Sequence, residues 1–233
     1  MTGTDALQAE SRTGVIAVAG VDFLADPDGA LVWPDERLLV VSDMHLEKGS
    51  AFAARGVLLP PYDTAATLAR LAALILRYDP RTVIALGDSF HDEGAHERLC
   101  APDYRALAGL QRRRDWIWVA GNHDPAPPHG LQGACAEELA IGAVAFRHEP
   151  TGAYGEIAGH LHPFARVAVR GRTVSRRCFA ADRDRLVMPA FGAYAGGLNI
   201  REQPFAEVFS GLDFTAHLLG AGRLHAIPAT RCG

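Results

Sequence analysis

The chain has 233 residues, 48% of them apolar and 21% charged, with a formal net charge of −4. That length suits one large domain or two small ones with a full hydrophobic core, and the composition is ordinary for a globular protein. No run approaches about 18 apolar residues, and Met1–Arg12 lacks the basic start and apolar stretch of a secretory signal, so no membrane helix or leader is expected.

Residues 1–13 read as a polar, disordered N-terminus and 14–233 as a single domain. From Gly14 to Trp33, short apolar runs separated by Gly20, Asp26–Gly29 and Pro34 predict edge strands joined by turns. Leu38–Val41 is continuously apolar, the mark of a strand buried on both faces. Asp63 or Thr64 is placed to cap a helix that carries Leu68, Leu71, Leu74 and Ile75 at helical spacing and stops at Asp79-Pro80. A strand at Thr82–Leu86, a helix around Tyr104–Gln111 and a strand at Trp116–Ala120 complete an alternation that implies a parallel sheet with crossover helices. After Pro125–Pro128 the pattern changes. A short helix near Glu137 is expected, then strands at Val144–Phe146, Ala165–Val169, Thr173–Phe179, Leu186–Val187 and Glu207–Phe209. The whole reads as one α/β domain with two sheets packed face to face.

Four polar clusters follow these apolar runs in order: Asp43-x-His45, Gly87-Asp88, Gly121-Asn122-His123-Asp124 and Gly159-His160-Leu161-His162. Strand ends meet solvent at loops, where binding groups gather. Carboxylates, an amide oxygen and imidazoles without a thiolate suit Mn, Fe or Zn. The donors are too many for one ion and about enough for two. Paired ions roughly 3.5–4 Å apart are the usual machinery for hydrolysing phosphate esters. His148, after the strand at Val144–Phe146, is the best remaining imidazole for the second ion. Site one is then Asp43, His45, Asp88 and His162, and site two is Asp88, Asn122, His148 and His160, with Asp88 bridging. Gly87 and Gly121 allow close backbone approach beside the ligands.

His123 is more useful off the metal, where, positioned by Asp124, it would protonate the leaving oxygen. His91, three residues after Asp88, is placed to lie over the substrate. Lys48 and Arg55 are candidate contacts to substrate phosphate. Cys100, Cys135, Cys178 and Cys232 form no C-x-x-C pair, which favours reduced thiols in a cytoplasm. Arg166, Arg170, Arg172, Arg176 and Arg177 lie within twelve residues that contain no acid and flank Gly171 in a hairpin pattern. Such a hairpin either tracks a nucleic-acid backbone or is a solvated edge whose charges block strand pairing.

The ordered series of motifs, with His148 added, resembles the calcineurin-like metallophosphoesterases. The resemblance implies a four-layer α-β-β-α sandwich with a dimetal site at its sheet ends. Gly87-Asp88-Ser89-Phe90-His91 also looks like the second motif of the nuclease branch, where the histidine aids phosphodiester cleavage. Leu46–Ser50, Arg55–Asp63, Phe191–Tyr194 and Gly196–Asn199 look like segments of the bacterial DNA-ligase-associated metallophosphoesterases. Met44 departs from the leucine common there, an apolar swap that should be tolerated. The likeness implies DNA processing beside a DNA ligase and a helicase in repair.

The function expected is therefore a dimetal phosphodiesterase acting on DNA, with Mn²⁺ favoured over Fe or Zn. A small-molecule phosphatase or nucleotide pyrophosphatase on the same centre is the alternative. A non-catalytic, metal-binding repair scaffold is a third, disfavoured because it has no chemical need for His123 and Asp124.

Overall fold

The structure, a computed structural model, describes residues 13–124 and 130–233. Residues 1–12, where a disordered N-terminus was expected, and His129 lie outside the described residues. The first three strands, β1 (Gly14–Val18), β2 (Val21–Ala25) and β3 (Leu31–Trp33), form an antiparallel meander that β4 (Leu38–Ser42) extends. β4, β5 (Thr82–Leu86) and β6 (Asp115–Val119) are parallel neighbours. Their connections carry α1 (Lys48–Ala54), α2 (Asp63–Tyr78), α3 (Ala95–Arg98) and α4 (Ala101–Gln111). β7 (Ala134–Ala136) pairs parallel to β6 at the end of this sheet.

The second sheet is built from β8 (Glu138–Ile141), β9 (Val144–Arg147), β10 (Glu156–Ala158), β12 (Arg172–Ala181) and β13 (Arg185–Val187), with β14 (Thr215–Gly220) and β15 (Arg223–Pro228) beyond α5 (Gln203–Val208). Its spatial order is β15-β14-β12-β13-β10-β9-β8, and β11 (Phe164–Val169) pairs with β12 off that path. β9, β10 and β13 are parallel.

Alternate side chains of the central strands enter different cores, which is why those strands read as unbroken apolar runs. Leu38, Val40, Ile84 and Leu86 face the second sheet, where Phe146, Ile157, Phe179 and Leu186 meet them. Leu39, Val41, Val83 and Ala85 face the other way, against Leu68, Leu71, Leu74 and Ile75 of α2 and Leu107 of α4. The outer side of the second sheet buries Cys178, Ala180 and Leu218 against Phe205 and Val208 of α5. Helices, sheet, sheet and helix thus stack in four layers, as the motif resemblance implied. Among the described residues no helix is long and apolar enough to cross a membrane.

Three local expectations are corrected. No helix forms near Glu137: β7 ends and β8 begins there, as the chain passes from one sheet to the other. The alternation Glu138-Leu139-Ala140-Ile141 is a strand period, with Leu139 and Ile141 packed on the inter-sheet core. The strand expected at Glu207–Phe209 is the end of α5, whose Pro204 sits in the first turn and whose Phe205 and Val208 are buried one turn apart. Neither Asp63 nor Thr64 caps α2, for which Tyr62 is the N-cap residue without a side-chain bond. The Asp63 carboxylate instead accepts the N–H of Gly49 at 2.9 Å, and the Thr64 hydroxyl meets buried Glu47.

Candidate metal centre

β4, β5, β6, β9 and β10 all end at one edge, and every motif residue lies in the loop that follows its strand. Two triads form there, Asp43–His45–His162 and Asp88–His148–His160, each with its ligand atoms within 4.8 Å of one another. In the first, His162 Nε2 stands 3.1 Å from Asp43 Oδ1 and 3.3 Å from His45 Nε2. In the second, His148 Nε2 stands 3.4 Å from Asp88 Oδ1 and 3.2 Å from His160 Nδ1. The other Asp88 oxygen turns toward His45 Nε2 at 3.9 Å, so this carboxylate faces both triads. Asn122 Oδ1 joins the second triad, 2.8 Å from His148 Nε2 and 3.1 Å from His160 Nδ1. All seven residues proposed as ligands from the sequence are brought together, in the two groups assigned.

The backbone aims these side chains at some cost. Asp43 (φ 52°), His45 (43°), Asp88 (45°), His160 (66°) and His162 (47°) are all left-handed, a conformation that costs a non-glycine residue about 1–2 kcal/mol. Further hydrogen bonds hold the carboxylates. Ser42 Oγ donates to Asp43 Oδ2, the His160 N–H donates to the same oxygen at 3.1 Å, and the His123 N–H donates to Asp88 Oδ1 at 3.0 Å. Partners of this kind fix ligand orientation.

Electrostatics prepare the donors. Burial pushes the Asp88 carboxyl up, but the hydrogen bond and charge of His148 outweigh it and bring the group down to about 2. Burial drives His45 down to about 3 against the pull of Asp43, and burial followed by the charge of His148 lowers His160. Burial pushes His148 down, but Asp88 and Asp43 outweigh it and raise the group, so this ring sheds a proton on binding an ion. The Asp88 carboxylate and the lowered imidazoles of His45 and His160 already suit a hard or borderline divalent ion. His45 Nε2 and His162 Nε2 lie 3.3 Å apart, close enough for both to bind a common cation. The residues fit a two-ion centre.

His123 stays outside both triads, its side chain 42% exposed and its Nε2 3.9 Å from Asp88 Oδ2. Its Nδ1 lies 3.0 Å from the His91 carbonyl, which assigns the Nδ1 hydrogen to that bond. The His91 ring is stacked on it, 5.5 Å between centroids, and also approaches His45 and Phe52. Burial and then the charge of Lys48 lower the His91 pKa. Asp124 does not position His123. Consecutive side chains diverge in this turn, and the buried Asp124 carboxylate accepts the Phe90 N–H at 2.8 Å, fastening the loop after β6 to the loop after β5. Burial pushes this carboxyl up to about 8, although the Phe90 N–H opposes the shift. Lys48, half-buried at the start of α1, and Arg55, exposed at its end, both act electrostatically on His91. His217 and His225 lie on β14 and β15, away from the ligand loops.

The role of one supporting segment was not readable from residue spacing. The N–H groups of Phe191 and Gly192 bond the carbonyls of Ser42 and Asp43 at 2.7 and 3.0 Å, and Arg177 Nη1 grips the Ala190 carbonyl behind them at 2.7 Å. The Phe191–Tyr194 segment thus braces the first ligand loop, through backbone bonds that leave no side-chain pattern.

Residues 36–187 match the family model for calcineurin-like phosphoesterases. The chain belongs to that family, whose members work through a dimetal centre. It is a metal-dependent phosphoesterase, a hydrolase of phosphate esters. Among solved structures, Pseudomonas putida nuclease MPE is similar with a TM-score of 0.71 at 26% identity, over 92% of this chain and 100% of that one. A phosphoesterase from E. coli, Yfce, gives a TM-score of 0.42 at 13% identity, over 82% of this chain and 98% of that one. No curated protein matches the chain at a significant level.

Proposed function

We propose that this chain, a single domain over 14–233, is a phosphodiesterase that cleaves nucleic-acid strands, DNA first, with Mn²⁺ in both sites. The observation that carries this reading is the stacked pair His91–His123 beside the first triad, outside both ligand groups. Breaking a strand's P–O bond releases an alkoxide, a poor leaving group that needs a proton, and an imidazole outside the ligand set is free to give it. Asp43, His45, Asp88 and His162 would hold one ion, and Asp88, Asn122, His148 and His160 the other. When bound, the ions supply an acidified water and neutralise charge on the phosphoryl oxygens.

The chain's own residues divide the remaining work. His123, its Nδ1 hydrogen bonded to the His91 carbonyl, keeps Nε2 on the Asp88 side, where a second ring proton taken up from solvent before each turnover passes to the leaving oxygen as the P–O bond breaks. Lys48 and Arg55 attract the flanking phosphate on that side. The opposite flank is less suited to a polyanion: the cavity next to Asn122 and His148 is lined by Glu137 and Glu149, and Arg147 there is paired with Glu138. The solved relative named as a nuclease supports a nucleic-acid substrate, and the resemblance of Arg55–Asp63 supports association with a DNA ligase and helicase in a cytoplasmic repair pathway.

The test compares hydrolysis of bis-p-nitrophenyl phosphate and p-nitrophenyl phosphate by the Mn²⁺-loaded protein, then a DNA oligonucleotide. Diester preference lost in His123→Ala, followed by strand cleavage, is expected. Monoester preference would replace this reading with a small-molecule phosphatase. Failure to turn over either ester with metal bound would indicate a scaffold.

A further inference from the structure

Residues 188–200 join β13 to α5 and lie in no helix or strand. They nevertheless enter three separate cores. Met188 lies between the two sheets, Phe191 on the helix side of the first sheet and Ile200 on the outer side of the second, each with 0% exposure. Close-packed cores leave little freedom to a side chain of this size, so the path of the segment is fixed at three points.

Between these anchors the segment meets two ligand loops in turn. Beyond the bonds of Phe191 and Gly192 to the Ser42 and Asp43 carbonyls, the Leu198 N–H donates to the Leu161 carbonyl at 3.2 Å. The Leu198 carbonyl accepts the Phe164 N–H at 3.0 Å. Two glycines mark the closest approaches. A β-carbon built on Gly192 would overlap the Met44 carbonyl, and one built on Gly197 the His162 carbonyl. Neither glycine has the left-handed φ that favours glycine, so closeness alone excludes a side chain. Both loops carry ligands of one triad, Asp43 and His45 on the first and His162 on the second. His160 shares the second loop, but the carbonyls contacted belong to Leu161 and His162, which follow it. Among the described residues, no backbone bond from this segment reaches the loops of Asp88, Asn122 or His148.

Two arginines outside the ligand motifs secure the segment. Arg177 is the one arginine of the 166–177 hairpin that is not exposed. Its Nη1 donates to the Ala190 and Gly192 carbonyls at 2.7 and 3.3 Å. The Arg70 guanidinium of α2 lies 4.2 Å from the centre of the Phe191 ring, where the ring's quadrupole attracts it.

We propose that residues 188–200 form a strap that sets the separation of Asp43 and His162, and that Arg177 is a positioning residue for the first ion alone. The inference rests on the two-ion assignment above and is independent of the substrate. Ligands already held in place bind an ion more tightly than ligands that must first be gathered.

The test is titration calorimetry of the metal-free full chain with Mn²⁺, with the melting temperature of the metal-free protein as the fold control. Gly192→Ala and Gly197→Ala disturb different loops, yet each should weaken one equivalent about 10–100-fold and leave the other within about threefold. Combined with each other, the two changes should still spare one equivalent. Combined with Gly87→Ala, which disturbs the floor under His148, either should weaken both. Arg177→Met should weaken the same single equivalent about tenfold. Arg177→Lys keeps a donor for the Ala190 carbonyl and should lose less than about threefold. The Arg177 pair carries the same test where a glycine variant does not fold. Equal weakening of both equivalents in Gly192→Ala or Arg177→Met would overturn the strap, because the loss would then be a general loosening. Unchanged binding in the glycine variants and in Arg177→Met would overturn it as well. A parent protein that takes up fewer than two equivalents would sink the two-ion assignment, and the strap with it.

Discussion

Gly87 passes so closely beneath the His148 imidazole that a β-carbon built on it would overlap the ring, and its φ of 70° suits glycine. The backbone of one ligand loop is therefore the floor on which the imidazole of another rests. Gly87→Ala must tilt His148 away from Asp88 and Asn122. Titration calorimetry should show one of the two Mn²⁺ equivalents weakened about 10–100-fold, the range found when a ligand loses its support. Two unperturbed equivalents would show that the loop yields and that the contact is not positional.

His123 and Asp124 are neighbours in sequence with separate duties in space. His123→Ala should lower kcat for a diester about 10²–10⁴-fold, the usual contribution of a positioned proton donor, while both metal equivalents remain. Asp124→Asn keeps an oxygen for the Phe90 N–H, so its kcat should fall far less. Equal losses in the two variants would mean that Asp124 does act through His123.

Buried Glu47 depends on its neighbours. Its carboxylate accepts hydroxyl hydrogens from Thr64 at 2.9 Å and Ser50 at 2.7 Å, and its N–H donates to Thr64 Oγ1 at 2.8 Å. Thr64→Val removes two of these bonds with little change of shape. Denaturant unfolding should show a loss of about 1–3 kcal/mol, the cost of leaving buried polar groups unpaired. A loss below about 0.5 kcal/mol would mean that water replaces the hydroxyl.

His217, in β14, has its pKa lowered by burial. Its folded value thus lies below the ordinary 6.5, and the unfolded chain binds the proton first as the medium turns acid. The stability it contributes is complete above about pH 6.5 and is lost as pH falls toward and through the folded value. Thermal melts at pH 7.5 and pH 5.5 should show a smaller acid-induced drop for His217→Gln than for the parent. Parallel melting curves would remove His217 from the account.

The parts legible in the sequence are those where one residue's environment is set by its own strand. β4 and β5 read as buried because both faces are covered, and the ligands follow them directly. Gly87 and Gly121 were legible as points of close approach. What escaped depends on partners distant in the chain. Glu207–Phe209 read as strand because the apolar pair Val208-Phe209 is too short to show a period, and only Phe205, one turn before Val208, decides for a helix. Asp124 was read as a partner of His123 because adjacency along the chain does not say which way a turn points successive side chains. Arg177 acts on carbonyl oxygens, and a carbonyl is present at every residue, so no residue type marks its target.

The left-handed residues of the ligand loops carry a consequence for how such a protein changes over time. Five side chains that could hold metal sit where glycine or asparagine would rest more easily. A population selected for heat resistance alone would gain by exchanging them, and each gain would erase a donor. Sequence drift away from the enzyme should thus run downhill in folding energy, with Asp43, His45, Asp88, His160 and His162 the first positions to yield.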